Sequence, residues 1–195
     1  QENRRRRAFD EATFEEAIPL AKRLLEDKTR RSLVIHKPHW HAGVIGIVAS
    51  RLVDKFHVPT VLLTSIDGMA KGSARSISTF DIHSALKKTG HMLIEYGGHK
   101  HAAGLSLDEK KVPEFRKDFD QIAKQKIKMD MLKPEINVDA ELKLNELSPA
   151  FLKTLRRFAP FGFENYKPVF YSKNVTSANG IKVLVNKHLK FRAYQ

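Results

Sequence analysis

The sequence predicts an α/β fold in which helices flank a mixed sheet, followed by a smaller region built from β-strands. The first observation is a strand, helix, strand order across 32–36, 43–56 and 59–64. The second is another amphipathic helical pattern at 110–128. The third is a change after Met129 to short strands and turns. A length of 195 residues suits one full domain and a smaller one.

The N-terminal stretch, residues 1–27, favours a helix. Its apolar stripe contains Phe9, Ala12, Ala17, Ala21, Leu24 and Leu25. Pro19 interrupts the stripe, and a proline inside a helix kinks or restarts it. The basic block from Arg4 to Arg7 is interpreted as a solvated helix end rather than a nucleic-acid contact.

The strand, helix, strand unit predicts two parallel strands with a right-handed crossover. Its helix should begin just after His41, so the free N–H groups and the positive end of the helix dipole lie beside that side chain. His41 is therefore a candidate anion ligand, and a structural cap is the equally weighted alternative. Trp40 is assigned to the core or an interface.

The run from Gly97 to Gly104 (GGHKHAAG) leaves the backbone almost bare of side chains. Glycine tolerates positive φ, so successive N–H groups could turn inward as an anion nest, with His99 as a side-chain donor. Gly97, Gly98, His99 and Gly104 are thus candidate phosphate-binding residues. A tight turn packed on the core is the alternative, because a glycine-rich run is a weak signal without its structural context.

A second small-residue segment, Lys71 to Ser76, carries one arginine between two serines. The Arg75 guanidinium can bind two phosphate oxygens at once, with the Ser73 and Ser76 hydroxyls beside it. Residues 80–96 between the two segments favour a short helix that starts near Thr79 or Asp81, with Leu93 on its apolar side. Both segments are therefore predicted to face one cleft, although a surface ion pair is the ordinary role of a lone arginine.

Two His-x-His pairs, His39 with His41 and His99 with His101, raise the question of a metal site. Residues two apart on a strand share a face and could ligate one ion. We predict no metal site in this chain, because no carboxylate lies near either pair in sequence to complete the ligand shell.

The C-terminal region combines turn signals with alternating strands. Ser148 and Pro149 are typical of an N-cap and first turn, predicting a helix that runs to Phe158. Asn179-Gly180 predicts a hairpin turn. Candidate nucleic-acid contacts on the last strands are Lys187, His188, Lys190 and Arg192.

Charge and composition limit the classes of partner. There are 35 basic and 22 acidic side chains, a formal charge of +13, which attracts polyanions, nucleic acid above all. The chain contains no cysteine, which excludes disulfides and zinc-thiolate sites. It shows no apolar run of membrane-spanning length and no signal peptide, so we expect a soluble, cytoplasmic protein without a membrane partner.

Several motifs, taken in order, resemble one family. GMAKGSARS, FDIHSALKK and EYGGHKHAAGLSL, within 68–107, resemble the DHH-associated domain of the Asp-His-His phosphoesterase superfamily. The upstream segment HWHAGVIGIVASRL, 39–52, is similar to that of the RecJ single-strand-specific DNA exonucleases. FAPFG at 158–162, with Asn165, Pro168 and Phe170, and then KHLK at 187–190 resemble the RecJ oligonucleotide-binding domain.

The resemblance implies a domain order of a linker helix region at 1–30, a DHH-associated substrate-binding domain at 31–128 and a partial oligonucleotide-binding barrel at 129–195. An incomplete barrel would expose an edge that could pair with another copy. The resemblance also implies a 5′ to 3′ exonuclease that depends on manganese or magnesium and acts on single-stranded DNA in repair and recombination. A single-strand-binding protein and other repair proteins are candidate partners.

No Asp-His-His motif or aspartate-rich cluster is present, although two-metal hydrolysis needs several converging carboxylates and histidines. We therefore expect the chain to correspond to the C-terminal, substrate-binding part of such an enzyme, with no cofactor of its own and no cleavage activity. Two alternatives remain open. One is a phosphoesterase acting on oligoribonucleotides or polyphosphate, and the other is a non-catalytic nucleic-acid-binding module.

Overall fold

The computed structural model of the chain describes residues 2–133, 135–162, 164–185 and 188–195. The chain divides into two compact units, residues 1–134 and 135–195. The first unit contains a five-stranded sheet with helices on both faces. The second contains short two-stranded sheets and one helix. This architecture confirms the predicted mixed α/β domain followed by a β-rich region.

The sheet of the first unit consists of β1 (Leu33–His36), β2 (Thr60–Ile66), β3 (Met69–Arg75), β4 (Leu93–His99) and β5 (Ala102–Asp108). Their spatial order is β1-β2-β3-β5-β4. β1 and β2 are parallel, which confirms the pairing predicted from the strand, helix, strand pattern. The pairs β2 with β3, β3 with β5 and β4 with β5 are antiparallel, so the sheet is mixed.

Four helices surround this sheet: α1 (Glu2–Leu24), α2 (Ala42–Phe56), α3 (Ile82–Lys88) and α4 (Val112–Lys126). α2 begins directly after His41, and α3 begins after Asp81, whose carboxylate accepts from the Ser84 N–H as an N-cap. Both predicted starts are confirmed. α1 runs unbroken through Pro19, so of the kink or restart expected at this proline the restart is excluded. A proline removes one intrahelical hydrogen bond, and the burial of Ala17 and Ala21 on either side of it holds the helix against the sheet.

Two hydrophobic clusters lie on opposite faces of the sheet. One contains Phe115 and Phe119 of α4 and Ile82 and Leu86 of α3, packed on alternate residues of β2, β3 and β5. The other joins Ala17 and Ala21 of α1 and the buried side of α2 to Leu33, Ile35 and Leu62. The second cluster takes its strand residues from β1 and β2 only. Beyond them, the same face presents polar and small residues from β3, β5 and β4.

Two further predictions in the first unit concern Trp40 and Leu93. Trp40 is buried with its indole in the second cluster, which confirms its assignment to the core. Leu93 was expected on the short helix but begins β4, because α3 ends at Lys88 and a short 3₁₀ turn, Gly90–Met92, follows it. Among the described residues, no helix combines the length and apolarity needed to cross a lipid bilayer.

The second unit contains β6 (Ala140–Glu141), α5 (Pro149–Arg156), β7 (Phe170–Tyr171), β8 (Thr176–Leu184) and β9 (His188–Tyr194). Ser148 caps α5 by accepting from the Phe151 N–H, as predicted, although the helix ends at Arg156 rather than Phe158. The hairpin turn predicted at Asn179-Gly180 is wrong. Both residues lie inside β8, where the pairing register with β9 shifts between Ala178 and Lys182 and Gly180 has a φ of +77°. The glycine therefore serves a strand irregularity instead of a turn.

Candidate functional site

One face of the sheet carries five of the eight candidate phosphate-binding residues. In the antiparallel register, Ser73 lies opposite Gly104, which lies opposite Gly97. Two residues along β3, Arg75 lies opposite Ala102, which lies opposite His99. Directly opposed residues of antiparallel strands point to the same face. We call this surface, formed by Ser73, Arg75, Gly97, His99, Ala102 and Gly104, the open face.

The glycine-rich run is a β-hairpin, not the predicted loop of inward-turned N–H groups. Gly97, Gly98 and His99 end β4, Ala102 to Gly104 begin β5, and only Lys100 and His101 form the turn. The reason is that β5 lies between β3 and β4, so that sheet pairing on both sides organises this backbone. The small side chains of the run survive at Gly97, Ala102 and Gly104, which leave part of the open face bare, rather than as a nest.

Arg75 is held in place by its own strand. Its Nη1 donates to the Ser73 hydroxyl at 2.8 Å and to the Ala74 carbonyl at 2.8 Å. Partial burial lowers the pKa of Arg75 from its ordinary value, but a guanidinium remains charged at neutral pH. Within the described part of the chain, Arg75 forms no salt bridge within 4.0 Å. A half-buried cation without an acidic partner is suited to bind an anion.

Helix α2 covers this arginine. A Cβ added to Gly46 would lie 2.8 Å from Nη2 of Arg75 and 3.0 Å from the Ser73 hydroxyl, so only glycine lets the helix and the guanidinium come this close. Gly46 was not among the site residues predicted from the sequence. The sequence signal for Gly46 was its place as an isolated glycine inside an apolar helical pattern. A glycine at such a position costs about 1 kcal/mol of helix stability relative to alanine and often marks a place where another group packs closely against the helix.

His41 is the N-cap of α2. Its Nδ1 accepts from the Gly43 N–H at 3.0 Å, and its ring stacks on Phe9 of α1 with centroids 5.3 Å apart. The structural alternative foreseen for His41 is therefore present. Because Nδ1 is an acceptor here, the neutral ring carries its proton on Nε2. The side chain is exposed, so contact with an anion remains a prediction for it.

Ser76 and Gly98 occupy different positions from the other candidates. The Ser76 hydroxyl donates to the Phe80 carbonyl at 2.6 Å, and its N–H donates to the His101 carbonyl at 3.0 Å, so this residue fixes the turn before α3. Gly98 has a φ of +140°, and a Cβ there would meet the Ala102 carbonyl oxygen at 2.4 Å. The absence of a side chain at Gly98 lets β4 and β5 approach each other within the hairpin. His99 is exposed, and its Nδ1 accepts from the His101 N–H at 3.3 Å.

A shallow depression extends from the open face along the same strands. It has a volume of about 570 Å³ and is lined by Lys71, Gly72, Glu95, Tyr96, Gly97, Gly104, Leu105 and Ser106. Lys71 lies two and four residues before Ser73 and Arg75, so it points to the same face. This period-two spacing was the available sequence signal for Lys71, a residue of the Lys71 to Ser76 segment that was not among the predicted site residues.

The histidine pairs do not assemble a metal site in the part of the chain that the structure describes. His39 lies 2.9 Å from a carboxylate oxygen of Glu16, while His99 and His101 contact each other. Over residues 2–133, 135–162, 164–185 and 188–195, no group of three or more His, Asp or Glu could hold an ion. These residues do not fit a manganese or magnesium site.

A second basic surface lies on the β8–β9 hairpin. His188, Lys190 and Arg192 alternate along β9 and share one face, and Lys190 lies directly opposite Lys182 of β8. A groove of about 620 Å³ runs here, lined by Ala178, Gly180, Lys182, Leu184, Lys190, Phe191 and Arg192. Like charges directly opposed destabilise a strand pair. A bound polyanion would therefore reduce the repulsion between Lys182 and Lys190. The candidate Lys187 lies outside the described residues.

Comparison with known families agrees with this architecture. The family model of the DHHA1 domain matches residues 30–125, and that of the RecJ OB domain matches residues 138–195. The fold and the two basic surfaces thus define a protein with a DHHA1-type α/β domain followed by an oligonucleotide-binding-type domain.

Two curated relatives extend the comparison over most of the chain. The single-stranded-DNA-specific exonuclease RecJ of Bacillus subtilis (strain 168) is 34% identical over 194 residues, which cover 97% of this chain. That of Escherichia coli (strain K12) is 32% identical over 175 residues, 86% of this chain. The chain thus carries DHHA1 and RecJ OB domains and is homologous to these RecJ proteins over most of its own length. It spans 24% and 30% of the lengths of these two relatives.

Solved structures support the same assignment. The crystal structure of RecJ in complex with Mn²⁺ from Thermus thermophilus superposes with a TM-score of 0.78 at 29% identity, covering 97% of this chain and 27% of that one. A structure of exonuclease RecJ bound to manganese superposes with a TM-score of 0.55 at 35% identity, covering 62% of this chain and 29% of that one. The resemblance stated from the sequence motifs is confirmed.

Proposed function

We propose that this chain is the substrate-binding part of a single-strand-specific 5′ to 3′ DNA exonuclease that acts in DNA repair and recombination. In this proposal, residues 1–30 form a linker helix region, 31–128 the substrate-binding domain and 129–195 part of the oligonucleotide-binding domain. Hydrolysis of the phosphodiester would depend on manganese or magnesium held by a part of the enzyme outside these 195 residues. This chain alone binds DNA without cleaving it, and we expect the enzyme in the cytoplasm.

The observation that carries the proposal is the position of the Arg75 side chain and its surroundings. Its guanidinium is oriented by Ser73 and the Ala74 carbonyl, covered by Gly46 and adjacent to strands that carry glycine and alanine. A phosphate can approach this guanidinium from the side of Gly97, Ala102 and Gly104, where the open face carries no side chain larger than a methyl group. Ser73, Gly97, Gly104 and His99 would line the approach, and His41, the exposed N-cap of α2, is a further candidate anion contact. Ser76 and Gly98 would support the open face by fixing the backbone of the turn before α3 and of the β4–β5 hairpin.

The β8–β9 hairpin of the second unit offers a separate basic surface for single-stranded DNA. We assign Lys187, His188, Lys190 and Arg192 to backbone phosphates, which every sequence presents alike. A single-strand-binding protein or another repair protein remains a candidate partner. Of the alternatives, the phosphoesterase acting on oligoribonucleotides or polyphosphate is less well supported, because the RecJ OB domain model matches residues 138–195.

The test is the salt dependence of binding to a 5′-phosphorylated oligodeoxynucleotide, measured by fluorescence anisotropy. Arg75→Ala should weaken binding and reduce the slope of log K against log salt by about 0.7, the contribution of one phosphate contact on a single strand. Arg75→Lys should keep most of the slope but lose affinity, because an ammonium cannot bind two oxygens in fork geometry.

Arg23→Ala is the matched control. It removes the same charge from an exposed position in the last turn of α1, so it should leave the affinity nearly unchanged. The proposal fails if Arg75→Ala and Arg23→Ala give the same slope. Stronger binding of an oligoribonucleotide than of the matched DNA would favour the alternative enzyme class instead.

A further inference from the structure

We propose that Glu16 of α1 is a positioning residue for the phosphate-binding surface, acting through residues 37–41 and helix α2 on Arg75. The inference rests on the proposed function, since it assigns to a residue outside the open face the task of holding that surface in its binding geometry.

One carboxylate contacts several residues of the segment that precedes α2. Oε2 of Glu16 accepts from Nε1 of Trp40 at 2.8 Å and lies 2.9 Å from Nε2 of His39, while Oε1 lies 3.7 Å from Nζ of Lys37. The indole ring is buried, so its N–H needs an acceptor inside the protein. Glu16 supplies that acceptor and fixes three of four consecutive residues, 37, 39 and 40, to α1.

Glu16 remains ionised in this setting. Burial raises the pKa of Glu16, but the hydrogen bonds from Trp40 and His39 and the nearby charges of His39 and Lys37 outweigh it, so the pKa lies below its ordinary value. Hydrogen bonds to an ionised acceptor are stronger than those between neutral groups. The contact is therefore a firmer link than a surface ion pair between flexible side chains.

The next residue transmits this link to α2. His41 follows Trp40 directly, caps the helix through the Gly43 N–H and stacks on Phe9, also a residue of α1. The Trp40 carbonyl accepts from the Thr64 hydroxyl of β2, so the segment is fixed to the sheet as well. The N-terminal turn of α2 thus has its position set by α1 and β2 together.

Arg75 lies under the following turn of the same helix. The space for a Cβ at Gly46 is already occupied by the guanidinium and by the Ser73 hydroxyl, so a small displacement of this turn changes the room available to both. Binding sites lose affinity when a supporting residue lets the contacting group move by about 1 Å. Release of the 37–41 segment should therefore weaken phosphate binding without removing any group that touches the phosphate.

The experiment is a double-mutant cycle on the 195-residue chain, with binding of the 5′-phosphorylated oligonucleotide as the measurement. Glu16→Ala should weaken binding about fivefold, and that loss should nearly disappear in the Arg75→Ala background, because the two residues act through one interaction. Trp40→Phe keeps an aromatic ring but removes the N–H, and should reproduce part of the loss. Glu15→Ala, at the exposed neighbouring position, should not change binding.

The outcomes separate this inference from the proposed function. If Arg75→Ala binds as tightly as the parent chain, the proposed function fails. If Arg75→Ala weakens binding and Glu16→Ala weakens it equally in both backgrounds, Glu16 acts independently of Arg75 and the inference is wrong. Should Glu16→Ala unfold, as circular dichroism would show, the cycle is run with Trp40→Phe, and additivity with Arg75→Ala overturns the inference in the same way.

Discussion

Glycine serves two separate purposes in the β4–β5 hairpin. At Gly98 the backbone has a φ of +140°, and a Cβ would overlap the Ala102 carbonyl and Ala103, so any other residue is strained. At Gly97, one residue earlier, nothing lies within 4 Å of an added Cβ. The folded chain thus has room for alanine at Gly97. Gly97 therefore keeps this part of the open face free of a side chain.

Exchanging each glycine for alanine should separate these purposes. Gly98→Ala is expected to lower the free energy of unfolding by about 1–3 kcal/mol, because a non-glycine residue is forced into a sparsely populated conformation. Gly97→Ala should unfold at nearly the same urea concentration as the parent chain but bind single-stranded DNA less tightly, since the new methyl group stands where the phosphate approaches. Urea denaturation and fluorescence anisotropy measure the two effects.

Equal DNA affinity of Gly97→Ala and the parent chain would show that the open face is not the approach route. Equal stability of the two variants would contradict the steric role assigned to Gly98. Gly162→Ala provides a control for the exchange itself, because a Cβ there also meets nothing within 4 Å and the residue lies in the second unit.

At the scale of elements, Asp120 joins α4 to the entrance of β1. Its buried Oδ1 accepts from the N–H groups of Arg31 and Ser32 and from the Ser32 hydroxyl, at 2.9–3.0 Å. Its Oδ2 lies 3.0 Å from Nζ of Lys124, one helical turn along. The carboxylate satisfies backbone groups that precede the edge strand, so it sets where β1 starts relative to the helix.

Removing this carboxylate should destabilise the first unit. Asp120→Ala leaves two backbone N–H groups without their acceptor and is expected to cost about 2–4 kcal/mol of unfolding free energy, measured by urea denaturation. Asp120→Asn keeps an acceptor oxygen and should cost clearly less. Lys124→Ala, which removes only the partly exposed pair, should cost about 0.5 kcal/mol. A larger loss for Lys124→Ala than for Asp120→Asn would assign the stabilisation to the ion pair instead.

Across the whole molecule, burial is concentrated in one unit. Both hydrophobic clusters belong to residues 1–134. In residues 135–195, by contrast, none of the side chains that the structure describes is fully buried, and Leu189, Phe191 and Val183 on the last hairpin are 64%, 50% and 62% exposed. Backbone pairing without a buried face gives little stability. The second unit should therefore open more readily than the first.

Amide hydrogen exchange on the intact chain tests this difference. The amides of β2 and β3 should exchange only through global unfolding, whereas those of β8 and β9 should exchange at least about 100-fold faster through local opening. Single-stranded DNA should slow exchange in β9. Comparable protection of both units in the free chain would contradict the expectation, and protection of β9 that rises with protein concentration would indicate pairing with a second copy through an exposed strand edge.

The sequence allowed good prediction where neighbouring residues set the local structure. The start of α2 after His41, the caps at Asp81 and Ser148 and the parallel pair β1–β2 follow from short-range patterns, and all are confirmed. Prediction failed where a distant strand decides the outcome. Gly97 to Gly104 have the composition of a loop, yet pairing of β5 with β3 on one side and β4 on the other makes all but Lys100 and His101 strand residues. Asn179-Gly180 was misinterpreted for the same reason.

By itself, the sequence determined the order of the elements, the family and the residue types suited to an anionic partner, because these depend on composition, spacing and motif. Only the tertiary structure decided that Arg75, Gly97 and His99 share one face, that Gly46 covers the guanidinium and that Glu16 holds the segment before α2. These relations join residues that lie far apart along the chain. Strand register and helix packing set such distances, and both depend on burying the two apolar clusters of the whole unit.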